Sequence, residues 1–72
     1  MMGANEMFEA VQYENVSTEN SIEYFSADDG REIEFKMNEN GFPLIQLNFN
    51  DLDVSELKPM LQKCIELGWI DG

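Results

Sequence analysis

The chain has 72 residues, 43% of them hydrophobic, and carries fifteen Asp and Glu against four Lys and Arg with no histidine, a formal charge of −11. Such a length supports one domain, and eight aromatic residues set the composition apart from that of a disordered acidic tail. An imidazole or thiolate metal cage and an internal disulfide are excluded, because Cys64 is alone and no histidine is present.

Residues 1–20 form the least regular part. The span 6–14 reads best as a short helix capped by Asn5, with Phe8 and Val11 on one side; it also fits an alternating strand, Met7-Glu9-Val11-Tyr13. Asn15–Asn20 reads as a polar loop. Its Asn15-Val16-Ser17 sequon carries no weight without a secretory leader, and no basic-then-apolar leader precedes it.

Residues 21–49 read as an antiparallel meander. Asp29-Gly30 between two alternating runs is a strong hairpin signal. With these two as the loop, Ser26 opposes Ile33, Tyr24 opposes Phe35, Ile22 opposes Met37 and Glu23 opposes Lys36. The second turn admits a two-residue Asn40-Gly41 loop or a three-residue Glu39–Gly41 loop with a left-handed Gly41. A slip of one residue turns every side chain over. Only the longer loop sets Phe35 against Ile45 and Ile33 against Leu47, so it is expected. Pro43 marks an edge strand, because it cannot donate to a ladder. One face then holds Ile22, Tyr24, Ile33, Phe35, Met37, Ile45, Leu47 and Phe49. The other holds Glu23, Glu32, Glu34, Lys36, Gln46 and Asn48, with Phe25 and Leu44 as apolar exceptions.

Residues 53–67 supply a turn and a helix. Asp53 with Glu56 three residues on has the form of a capping box. Pro59 deep in a helix costs about 3 kcal/mol, so the regular helix is expected only from Pro59 to Leu67, ended by Gly68 with Trp69 folded back. Leu57, Leu61, Cys64 and Ile65, with Met60 alongside, form the stripe expected to cover the sheet. The expected fold is therefore α+β: a small three-stranded antiparallel meander on a C-terminal helix, with a short N-terminal helix.

No cofactor and no catalytic residues are expected. Without histidine no Ser, Cys or Lys has an imidazole base, and fifteen carboxylates make adjacent pairs by chance alone. The run beginning Asn48-Phe49-Asn50 fails as a calcium loop, because Leu52, Asp53 and Pro59 stand at its fifth, sixth and twelfth positions. Direct nucleic-acid binding is excluded electrostatically: Arg31, Lys36, Lys58 and Lys63 cannot neutralise a phosphate backbone against the acidic excess. No run approaches the ~20 apolar residues of a membrane span, and a lone cysteine suits a reducing interior, so a cytoplasmic protein is expected.

What remains is the charge itself. A net charge of −11 exceeds the magnitude of roughly 2–8 that keeps a small domain soluble. A body of radius of gyration ~11 Å is roughly 30 Å across, a length over which duplex DNA carries about 17 phosphates. The expectation is an acidic, non-catalytic binding module that docks on a basic partner through Asp28, Asp29, Glu32, Glu34 and Glu39, mimicking nucleic acid before a nucleic-acid-handling protein. Small acidic inhibitors, immunity proteins and DNA mimics of mobile elements supply the analogy, and no motif ties the chain to one of them. The alternative is a structural homodimer with Phe25, Leu44 and Trp69 as contacts.

Overall fold

The computed structural model describes residues 2–72. The elements run α1 (Ala4–Ala10), β1 (Glu14–Asn15), β2 (Ile22–Ser26), β3 (Arg31–Met37), β4 (Pro43–Leu47) and α2 (Val54–Glu66). The four strands form one antiparallel sheet in the order β1-β2-β3-β4, and both helices lie on its apolar face. The fold is α+β as expected, with one strand more.

That strand comes from residues read as a helix end and a polar loop. Glu14 opposes Phe25 and Asn15 opposes Tyr24, and the Val16 N–H donates to the Glu23 carbonyl at 2.9 Å. Two residues leave no periodicity to detect.

Helix α1 starts earlier and ends sooner than the span 6–14. Asn5 is not its cap: it lies within the helix, and its Oδ1 accepts from the Tyr24 hydroxyl. The first-turn N–H groups find carboxylates instead, Gly3 donating to Glu6 at 3.2 Å and Ala4 to Glu66 of α2 at 2.8 Å. The helix closes on a Schellman motif, in which Gln12 N–H donates to Glu9 (3.0 Å) and Tyr13 N–H to Phe8 (2.9 Å). Tyr13 then meets Phe8 edge-on, the ring centroids 5.7 Å apart. Gln12 takes the left-handed position with φ 72°, which costs a non-glycine residue about 1–2 kcal/mol. Part of that gain would be lost to the looser unfolded chain that glycine brings. Gln12→Gly should therefore stabilise the domain by up to about 1 kcal/mol and raise its Tm by a few degrees; an unchanged or lower Tm in a calorimetric scan would contradict this.

The β2–β3 turn is longer than the two-residue loop. Ala27–Gly30 forms the connection, Gly30 N–H donates to the Ser26 carbonyl at 2.8 Å, and the pairs are Ile22–Phe35, Glu23–Glu34, Tyr24–Ile33, Phe25–Glu32 and Ser26–Arg31. The register is shifted by two residues from the expected one. An even shift preserves the faces and changes the neighbours: Glu23 loses Lys36 and gains Glu34. The β3–β4 turn is as expected, with Phe35 opposite Ile45, Ile33 opposite Leu47 and Gly41 at φ 81°.

Helix α2 begins a turn before Pro59. Asp53 accepts from the Ser55 N–H at 2.9 Å while Glu56 accepts from the Asp53 N–H at 2.8 Å, completing the capping box. The helix runs unbroken through Pro59, whose ring is buried and faces Met7, Ala10 and Val11 of the α1 segment. The Ser55 carbonyl that loses a donor lies on an exposed residue, where water can serve it. The helix is also turned about its axis. Glu56, Pro59, Met60 and Cys64 face inward, whereas Leu57, Leu61 and Ile65 are 43%, 47% and 36% exposed. Its C-terminus repeats the α1 motif with Gly68 in the left-handed position and Trp69 N–H donating to Cys64 at 2.9 Å.

Phe8, Tyr24 and Ile33 are the most deeply buried large side chains. Phe8 stacks on Tyr24 with centroids 3.9 Å apart and meets Phe35 edge-on at 6.2 Å. Met37, expected in this core, is 53% exposed, because β3 outruns the helices at that end.

Candidate functional site

The face of the sheet away from the helices carries Glu23 on β2, then Glu32, Glu34 and Lys36 on β3, and Leu44 and Gln46 on β4. Glu23 and Glu34 are direct cross-strand neighbours, so two carboxylates stand about 5 Å apart at their Cβ atoms, an arrangement that destabilises a sheet. Glu23, Glu32 and Glu34 line one shallow hollow with Gln46 and Asn48. Lys36, the cation on this face, donates to the Gln46 amide oxygen at 3.0 Å. Among the described residues the ion pairs are Arg31 with Asp29 and Glu56, and Lys63 with Glu66. Glu23, Glu32, Glu34, Asp28 and Glu39 belong to none of them.

The five acidic residues singled out in the sequence do not form one cluster. Glu32 and Glu34 sit mid-sheet on the open face. Asp28 and Asp29 lie in the β2–β3 loop at one end of β3, and Glu39 in the β3–β4 loop at the other, about 23 Å away along a seven-residue strand. Asp29 already has work within the fold: its carboxylate accepts from the Arg31 N–H at 3.3 Å and lies 3.5 Å from Arg31 Nε. Glu23 is the residue that sequence reasoning left out; a register shifted by two would have placed it opposite Glu34. Phe25 and Leu44 are half-buried on the same open face, opposite Glu32 and Lys36. Trp69 is elsewhere, packed against Phe35 on the helix side at 6.1 Å.

A second constellation lies under the β2–β3 loop and joins three distant segments. Glu56, 4% exposed, accepts from the Tyr13 hydroxyl and from Arg31 Nη1. Arg31 also donates to the Asp51 carbonyl at 2.9 Å and lies over the Phe49 ring, 4.3 Å from its centroid. Burial pushes the Tyr13 phenol up, and the hydrogen bond to Glu56 adds to this, so it remains a protonated donor. Burial alone would raise Glu56, but its hydrogen bonds from Tyr13, the Asp53 backbone and Arg31 outweigh it and hold the carboxyl below its ordinary 4.5. Every polar atom of the trio is engaged, which makes it a clasp between β3, α2 and the N-terminal segment. Burial also raises the Cys64 thiol, which lowers its thiolate fraction, and Tyr24 is pushed up to about 12 by burial and by Glu66.

No protein family, curated protein or solved structure matches this chain. No helix among the described residues is long and apolar enough to cross a membrane.

Proposed function

We propose that the protein acts by binding, presenting the outer face of its sheet to a basic partner, and that a nucleic-acid-handling protein whose anion-binding cleft it fills is the partner class that suits it best. The observation that carries this reading is the Glu23–Glu34 pair. A like-charge cross-strand contact without a cation costs stability, and a lysine at either position would relieve it. A coat that only keeps the protein soluble has no need of like charges directly opposite each other on neighbouring strands. Carboxylates without an ion-pair partner on the uncovered face would speed encounter with a cationic surface and give it a strong salt dependence. The size also fits: the molecule measures 33 × 28 × 25 Å, so its negative charge is spread over a length in which duplex DNA carries about 17 phosphates.

The test is capture from the native lysate, followed by identification of the proteins eluted by salt. Wild type should retain basic proteins that handle DNA or RNA, and Glu23→Gln/Glu32→Gln/Glu34→Gln should lose them while melting no lower than wild type. Equal capture by the two would remove the reading. Asp29 is left unchanged in this variant, because its loss would disturb Arg31 as well.

A further inference from the structure

We propose that β4 is the docking edge of the molecule, taking up an extended segment of the partner as a fifth strand in which apolar residues alternate with Lys or Arg. This rests on the acidic-face reading above and adds the mode of contact and the kind of segment recognised.

The ladder fixes which backbone groups are free. Asn48 N–H donates to the Glu32 carbonyl and Asn38 N–H to the Phe42 carbonyl, so the even-numbered residues of β4 turn their hydrogen-bonding groups toward β3. By the alternation of an antiparallel pair, Ile45 and Leu47 turn theirs away. Strand β4 is last in the sheet order, and among the described residues nothing accepts from these two N–H groups. Pro43 has no N–H to offer, which limits the docking stretch to the middle of the strand.

Exposed edges are usually guarded by charge. This one is not: from Asn40 to Asn50 the chain has no Asp, Glu, Lys or Arg, although fifteen acids are distributed elsewhere. Beside the edge lies a second unguarded surface. Helix α1 meets α2 on the flank bearing Ser55, Lys58 and Pro59, with Ala4 bonded to Glu66. Helix α1 packs on β1 at the far end of the sheet, so the flank of α2 away from α1 looks toward β4; helical spacing puts Leu57 and Leu61 there, and both are exposed. A strand added to β4 would set alternate side chains against this ridge.

Charge decides the occupant. A second copy would bring another −11 to the same place, whereas a cationic segment is attracted. A fifth strand would run about 4.8 Å from β4 and roughly 10 Å from β3. From there, Lys or Arg side chains on the outer face can reach across Gln46 toward Glu34 and Glu32. The segment recognised is therefore apolar on the face under α2 and basic on the other, with a period of two.

The experiment uses two acetylated heptapeptides of one composition: Lys-Ile-Lys-Val-Lys-Ile-Lys, and a control in which the four lysines precede the three apolar residues. Calorimetric titration and amide hydrogen exchange are read on the full chain. The alternating peptide should bind roughly tenfold tighter than the control and slow exchange at Ile45 and Leu47. Ile45→Pro, which removes an outward N–H, and Leu61→Ser, which leaves the fold intact, should each erase that advantage. Equal binding of both peptides with exchange at Ile45 and Leu47 unchanged would overturn the docking edge and leave the acidic-face reading standing. Failure of both peptides to bind would overturn it too, and the lysate capture would then decide the acidic face separately. Slow exchange at Ile45 and Leu47 without peptide, in a chain that sediments as a dimer, would assign the edge to a second copy and overturn the proposal.

Discussion

Glu56→Ala should remove a large part of the protein's stability at neutral pH. The substitution leaves the Tyr13 hydroxyl without its acceptor, leaves Arg31 only Asp29, the Asp51 carbonyl and the Phe49 ring, and removes half of the α2 capping box. Breaking a buried ion pair from one side costs about 3–5 kcal/mol, and a domain of this size has roughly 4–11 kcal/mol in all. Urea titration followed by circular dichroism should show a midpoint far below that of wild type. Replacing all three partners together, Tyr13→Phe/Arg31→Met/Glu56→Leu, should cost much less, because no buried charge is left alone. A small loss in the single variant would mean that the clasp is not what joins the N-terminal segment to α2. The same contact predicts a pH dependence. The carboxyl of Glu56 is held below its ordinary 4.5, so its contribution is full above that value and is lost as pH falls through the lowered one. Wild type and Glu56→Gln should therefore converge in acid.

Phe8→Ala should be of similar severity. Phe8 is fully buried, stacks on Tyr24 and touches the edges of Tyr13 and Phe35. It is also the residue whose carbonyl receives the Tyr13 N–H in the α1 cap. Removing such a ring costs about 3–5 kcal/mol, and the cavity would open where α1, α2 and the sheet meet. Loss of the near-ultraviolet aromatic signal together with a collapse of the urea midpoint is the expected result. A loss under 1 kcal/mol would contradict this packing, being far below the cost usual for a buried aromatic.

The features legible in the sequence were those governed by short-range rules. The Glu39–Gly41 loop and its register followed from the burial pattern, and Gly68 marked the end of α2; the Asp53–Glu56 box was visible too, but Pro59 argued for a regular helix starting later than the observed Val54. What was illegible depended on partners far away in the chain. The observed β2–β3 register goes together with the Arg31 bond to Glu56, twenty-five residues later, and forgoes the local pairing of Lys36 with Glu23. The rotation of α2 has the same origin: Glu56, a residue that solvent usually claims, points inward because Arg31 and Tyr13 receive it, and the leucines are turned outward as a result. The end of α1 escaped notice because Gln12 stands where glycine is the expected signal. Glu23 was missed as a site residue through the register alone, since its face was read correctly. Met37 followed the strand's alternation but lies beyond the reach of the helices.

The central claim is that the outer-face carboxylates are kept for recognition at a cost to the fold, and Glu34→Lys tests it most directly when melting temperature and lysate capture are measured on the same preparation. An opposite charge facing Glu23 should stabilise the sheet by about 0.2–1 kcal/mol, raising the Tm by as much as a few degrees, while capture of basic proteins falls. A variant that melts higher and captures as well as wild type would show that these acids serve only as a soluble coat.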